Sequence, residues 1–157
     1  MTMTFLHGKP VADKILVATE SRLRASGILP ARATILIGDD TSSHLYVGLK
    51  EKAAQAIGIH FEKHYFPADT AHGEIFQRIE KLNTQDDIHG IIVQLPLPAG
   101  WPTDDIIAAI TPDKDADGFH QETVRQFLAG KYAACPVFPR AMRELLRLGK
   151  DEYVGTK

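Results

Sequence analysis

The sequence holds a single cysteine, Cys135, among its 157 residues. An internal disulfide and any metal site built on several thiolates are therefore excluded, and a reducing compartment, here the cytoplasm, is the natural expectation. A dominant charge is missing as well. Against 18 Lys and Arg stand 20 Asp and Glu, a net charge of −2, so nothing predicts a nucleic-acid or anionic-membrane partner. No apolar run approaches the roughly 18 residues of a membrane span. Met1–Leu6 lacks a basic start and reads as no leader. The glycines exclude most. None of the 12 is followed by another two positions on, so G-x-G-x-x-G cannot be written anywhere, and G-x-x-x-x-G-K does not occur either. Two standard phosphate cradles, the dinucleotide fingerprint and the P-loop, are absent from this sequence.

What is present is an ordinary globular composition, 44% hydrophobic, long enough for one domain with its own core. Periodicity predicts a helix over 9–26 with Val11, Ile15, Ala18 and Leu23 on one face and Gly27 as its stop. Ala33–Ile37 is a short β-branched run, a buried strand. A second helix over 43–57 follows the capping candidates Thr41, Ser42 and Ser43, with Leu45, Leu49, Ala53 and Ala56 as its core stripe. Residues 59–66 alternate, Ile59, Phe61 and Tyr65 inward against His60, Glu62 and His64. Ile75, Ile79 and Leu82 mark a helix over 71–82, and 88–95 a third buried strand stopped by Pro96 and Pro98. Short helices are predicted over 103–110, 121–128 and 139–148. This alternation predicts an α/β fold, three layers αβα around a mostly parallel sheet. In such sheets ligands bind beyond the carboxyl ends of the strands. Three segments meet that description: 38–50, 94–98 and 112–118.

Those segments carry the candidate chemistry. Tyr46 and Lys50 are four apart on one helical face; a helical lysine is ordinarily a solvated charge, and this one lies beside the predicted stripe and near the strand mouth. Gln94 ends an apolar strand, where its amide needs partners; it is either a structural amide or one placed to hold Lys50 and a substrate. The acidic stretch Lys114–Phe119 reads as an Asx turn, or as carboxylates offered to a donor-rich ring edge. Its spacing fails for a calcium loop. His60 and His64 lack the zinc-binding order, and Cys135 reads as a buried thiol.

Longer stretches are more specific. Leu6-His7-Gly8-Lys9-Pro10-Val11-Ala12, the run from Gly38 to Ala53 with Tyr46-x-x-x-Lys50, Gly90 to Pro98 with Val93-Gln94-Leu95-Pro96-Leu97-Pro98, and Pro112 to His120 with Lys114-Asp115-Ala116-Asp117-Gly118 resemble, in order and spacing, the bifunctional methylenetetrahydrofolate dehydrogenase/methenyltetrahydrofolate cyclohydrolase family. The resemblance runs from about Leu6 to about Leu146. It implies one-carbon chemistry on tetrahydrofolate: hydride transfer from the methylene form to NADP, then hydration of the methenyl cation to the 10-formyl form. It implies Lys50 as the central catalytic group, Tyr46 positioning folate against it, Gln94 hydrogen-bonded to that lysine, and Asp117 on the pterin edge. Ser43 and Pro96 complete the implied substrate-binding set. Adding water to an amidinium needs a proton relay rather than a metal.

The sequence also departs from the family. The NADP-binding half has no counterpart here, which agrees with the missing glycine fingerprint. The expectation is a single folate-binding catalytic domain over 1–157, with 139–157 starting the helix toward an absent NADP-binding domain, and with dehydrogenase activity needing that domain from a separate chain. Where the family has P-C-T-P, this sequence has Pro136-Val137-Phe138-Pro139. Where the family has P-x-N-x-G, Gln121-Glu122-Thr123-Val124-Arg125 stands. The alternative is a folate-binding or regulatory module without turnover.

Overall fold

Ala31–Ile37 (β1) is the strand around which the chain is organised. In the computed structural model, which describes residues 6–131 and 135–148, β1 lies between His60–Phe66 (β2) and Gly90–Val93 (β3) in a parallel sheet of order β2-β1-β3. The registers run from Ala31 opposite His60 to Ile37 opposite Phe66, and from Arg32 opposite Gly90 to Ile35 opposite Val93. The helices are α1 (Gly8–Ser26), α2 (Thr41–Ala56), α3 (His72–Thr84), α4 (Thr103–Ala108), α5 (Gln121–Leu128) and α6 (Val137–Leu148), with a 3-10 turn at Pro112–Lys114. Among the described residues no helix is long and apolar enough to cross a membrane.

Alternation along β1 divides the core between two faces. Ala33, Ile35 and Ile37, with Ile91 and Val93, pack against Ile75, Ile79 and Leu82 of α3 and Ile106 of α4. Leu36 and Phe61 pack against Val47 and Ala54 of α2. Helices thus cover both faces of a parallel sheet, the predicted three-layer arrangement. The α3 stripe is buried as its spacing predicts.

Three expectations are corrected. First, α1 has no buried residue. Its Val11, Ile15 and Ala18 line a shallow groove shared with Glu144 and Arg147 of α6, whereas Leu23 of the expected stripe lines a different groove with Ile28 and Ile57, so the four do not form one covered face. Second, the inward face of α2 is Ser43, Val47, Lys50 and Ala54, while Leu45 and Leu49 are exposed. The sheet defines this face, since Val47 and Ala54 pack on Leu36 and Phe61. Asp40 accepts the Ser43 N–H at 2.7 Å, capping the helix that starts at Thr41. Third, β2 is an edge strand whose Tyr65 is exposed and bonds Asp39 at 2.6 Å, whereas Glu62 and His64 are half-buried.

Smaller differences concern the ends. β1 begins at Ala31 rather than Ala33, so Arg32 lies within it. α6 begins at Val137 rather than 139; Pro139 falls in its first turn, where a missing N–H costs nothing. The expected continuation over 149–157 lies outside the described residues.

Candidate functional site

Lys50 is an inward position of α2, and its amine reaches across the sheet toward the end of β3. There the Gln94 backbone N–H bonds the Ile35 carbonyl at 2.9 Å, which fixes the residue in the sheet. The Gln94 side chain is held from both ends. Its Oε1 accepts from Lys50 Nζ at 3.1 Å, and its Nε2 donates to the Leu95 carbonyl at 2.6 Å. A strand-terminal amide with both ends paired bears no desolvation debt. The peptide between Leu95 and Pro96 that follows is cis.

The acidic loop divides its two carboxylates between turn and site. Asp115 serves the turn: its carboxylate accepts the backbone N–H groups of Gly118, Phe119 and His120. The Ala116 N–H bonds the Ile91 carbonyl at 3.3 Å, laying the loop along the outer side of β3. Asp117 is then carried to Lys50, Oδ2 to Nζ 3.7 Å, with 18% of the carboxylate side chain and 30% of the lysine side chain exposed. Gly118, at φ 78°, makes the close turn that follows, and the Asp117 carbonyl accepts the Val137 N–H at 3.1 Å.

Burial raises the pKa of Asp117 above the ordinary aspartate value. Lys50 and then Arg32 pull it down, and Asp115 adds to the rise. The sign of the consequence follows from linkage. Between about pH 4, the unfolded value, and its raised value, folded Asp117 holds a proton that the unfolded chain has lost. Its contribution to stability is complete below that window and declines as pH rises through it. The unfolding free energy of wild type minus that of Asp117→Asn is therefore expected to fall as pH rises from about 4 toward neutrality. Denaturant titrations of both proteins across that range test this, and a widening difference would contradict it.

The three segments expected to converge do so, bringing Lys50, Gln94 and Asp117 together. Tyr46 sits one turn before Lys50 on the outward side, 58% exposed. Pro96 is exposed, beyond Gln94. Ser43 is buried beneath the start of α2, its hydroxyl without a hydrogen-bond partner; it is the member of the expected set that does not face the open side. Cys135 is buried, its thiol 3.6 Å from the Pro136 carbonyl, as expected of a packing residue. A cavity of about 370 Å³ lined by Asp113, Asp115, Gly118, Cys135 and Arg140 lies behind the acidic loop, and neither Lys50 nor Asp117 lines it.

Arg32 escaped the sequence reading, and it bears on the site. It is a β1 residue whose guanidinium lies 4.9 Å from the Phe61 ring centre and acts electrostatically on Asp117. A charged residue just ahead of a β-branched run is the available signal; a strand that begins at Ala33 leaves it out.

Comparison with known proteins bears on these residues directly. Residues 6–117 match the family model described as the tetrahydrofolate dehydrogenase/cyclohydrolase catalytic domain. The chain is 41% identical over 145 residues to the bifunctional protein FolD of Geotalea daltonii, covering 90% of this chain and 52% of that protein. It is 42% identical over 155 residues to FolD 2 of Geobacter metallireducens, covering 97% and 54%. Among solved structures it is similar to the Trypanosoma brucei methylenetetrahydrofolate dehydrogenase-cyclohydrolase complexed with NADP cofactor and inhibitor, with a TM-score of 0.91, 31% identity, and 99% of this chain and 55% of that one covered. The Campylobacter jejuni FolD enzyme aligns with a TM-score of 0.88 at 34% identity, over 95% of this chain and 54% of that one. The chain spans about half the length of the curated relatives it matches.

Proposed function

From the membership of this chain in the tetrahydrofolate dehydrogenase/cyclohydrolase family, we propose that it is the folate-handling catalytic half of such an enzyme and hydrates a methenyl-tetrahydrofolate to its 10-formyl form. The observation that carries this reading is the Lys50 amine, set between the Gln94 Oε1 at 3.1 Å and the Asp117 carboxylate at 3.7 Å. Water adds to the amidinium carbon and loses one proton to solvent; the bond from that carbon to N5 then breaks as the new hydroxyl loses its remaining proton and N5 takes one up, so that the formyl group remains on N10 and one proton is released overall. Lys50 is suited to relay those protons, with Gln94 fixing the direction of its amine. Asp117 offers two acceptor oxygens to the amino and ring N–H donors of a pterin edge. Tyr46, exposed one turn earlier, offers a flat face to the substrate.

A solved relative is complexed with NADP; among the described residues of this chain, the first strand-to-helix turn does not suit the pyrophosphate of such a group. The turn from β1 into α2, where a pyrophosphate would sit in a dinucleotide fold, carries Asp39 and Asp40. The Asp40 carboxylate already occupies the Ser43 N–H, and its charge repels an anion. A folate-binding module without turnover is the second reading, favoured by how open one wall of the site is at Tyr46.

The deciding assay is methenyl-tetrahydrofolate hydrolysis by the purified chain, followed by loss of the methenyl absorbance, with and without NADP. Hydrolysis above the buffer rate and indifferent to NADP is expected. Calorimetric binding of tetrahydrofolate without hydrolysis would favour the module, and neither binding nor hydrolysis would end both readings.

A further inference from the structure

Lys114 belongs to the same short motif as Asp117, but its amine is engaged inside the fold. Nζ donates to the carbonyls of Leu82 and Gln85, at 2.9 and 2.6 Å. These lie at the close of α3, where a helix leaves carbonyls without internal partners and where a lysine amine is favoured. Asn83, on the same last turn, makes a second set of bonds. Its Nδ2 donates to the Ala109 carbonyl at 2.8 Å, at the close of α4. Its Oδ1 accepts the Thr111 N–H at 3.0 Å and the Thr111 hydroxyl at 3.3 Å. The Thr111 carbonyl in turn accepts the Lys114 N–H at 2.9 Å, which closes the 3-10 turn. The start of the acidic loop is therefore tied at two points to one helix end. That end is a firm anchor, since Ile75, Ile79 and Leu82 of α3 are fully buried against the sheet.

We infer that Lys114 and Asn83 are positioning residues of the site: they clamp the start of the acidic loop to the end of α3 and so set the reach of Asp117 toward Lys50 and the ligand. The inference deepens the folate reading and rests on it. From the clamp the chain runs through Asp115, whose carboxylate gathers the Gly118 and His120 N–H groups at 2.9 Å each, to Asp117. The Lys50–Asp117 separation is 3.7 Å, close to the limit of an ion pair, so a small slide of the loop parts the two. Lys50 and Gln94 stand on α2 and at the end of β3, outside the clamp. Loosening it displaces the carboxylate and leaves the amine and its amide in place.

The experiment compares wild type, Lys114→Met, Asn83→Ala and, as a control, Ile75→Val, a core truncation nearer the other end of α3. Methionine keeps an unbranched side chain and removes the donors; Asn83→Ala covers a failure of the first variant to fold. Amide hydrogen exchange followed by NMR reads the loop without any ligand. The Gly118 and His120 amides are expected to exchange faster in both clamp variants, while the strand amides of Ile35 and Ile91 stay near wild type. Wild-type protection of the loop, or a loss spread evenly over loop and strands, overturns the inference. Tetrahydrofolate affinity by calorimetry is expected to fall on the order of tenfold in both variants, the worth of one hydrogen bond to a charged group. The kcat of methenyl hydrolysis is expected to stay near wild type, because the amine and its amide are undisturbed. Unchanged affinity overturns the inference, as does a loss of kcat alone or an equal loss of affinity in Ile75→Val. If wild type neither binds nor hydrolyses, the folate reading fails, and the exchange pattern still decides the clamp.

Discussion

Methenyl-tetrahydrofolate hydrolysis is expected to fall by about 10²–10⁴-fold when Lys50 is replaced by alanine, the range for removing a positioned proton-transfer group. The variant should fold. Lys50 is part-exposed, and its inward neighbours Val47 and Ala54 hold α2 on the sheet without it. Gln94 keeps its other bond to the Leu95 carbonyl. Arginine at the same position separates charge from proton transfer. It retains a cation beside Asp117 and cannot give up its proton. Tetrahydrofolate affinity in Lys50→Arg is therefore expected to survive better than in Lys50→Ala, with hydrolysis lost in both. Hydrolysis at the wild-type rate in Lys50→Ala would remove Lys50 from the chemistry.

Gly118→Ala is expected to strike both stability and site. A Cβ at Gly118 would lie 2.7 Å from the Pro136 Cα, a backbone atom that cannot step aside alone, and the residue has φ 78°. The left-handed backbone costs a residue with a Cβ about 1–2 kcal/mol, and forcing an extra carbon into packed structure typically about 1–3 kcal/mol. The combined loss, on the order of 2–5 kcal/mol, should appear as a lowered denaturant midpoint. Relief by moving the Pro136 segment would stretch the bond from Val137 N–H to the Asp117 carbonyl, and with it the approach of Asp117 to Lys50. Hydrolysis should then fall even where the variant is fully folded. An unchanged midpoint and rate would mean that the start of α6 shifts without cost.

How legible these features are in the sequence depends on their range. The order of helices and strands follows from local periodicity and glycine stops, and α3 declares its buried face because Ile75, Ile79 and Leu82 answer to one sheet surface. For α2 the apolar count misleads. Leu45 and Leu49 are the largest apolar residues of the helix yet face out, while Val47 and Ala54 pack on Leu36 and Phe61 of the sheet, so Lys50 belongs to the stripe itself instead of lying beside it. The difference at α1 has another cause: amphipathic spacing groups residues on a face and does not say what, if anything, covers it. Lys50, Gln94 and Asp117 are individually recoverable from their motifs. Their division of labour with neighbours is not. That Asp115 holds the turn and Asp117 the lysine depends on backbone hydrogen bonds between residues whose spacing is symmetrical on paper. Arg32 is hidden for a similar reason, since only the register of the three strands sets it between Phe61 and Gly90.

The loop laid along β3 has a consequence for solubility. β3 is Gly90-Ile91-Ile92-Val93, entirely buried, and it stands at one side of a three-stranded sheet. A bare strand of that composition invites pairing with the same strand of another molecule. The bridge between Ile91 and Asp115 occupies part of that side. At the opposite side, β2 protects itself with His60, Glu62, Lys63 and His64. The segment that delivers Asp117 to Lys50 thus also covers part of the β3 edge, and a substitution that loosens it bares strand hydrogen-bonding groups as well as disturbing the site.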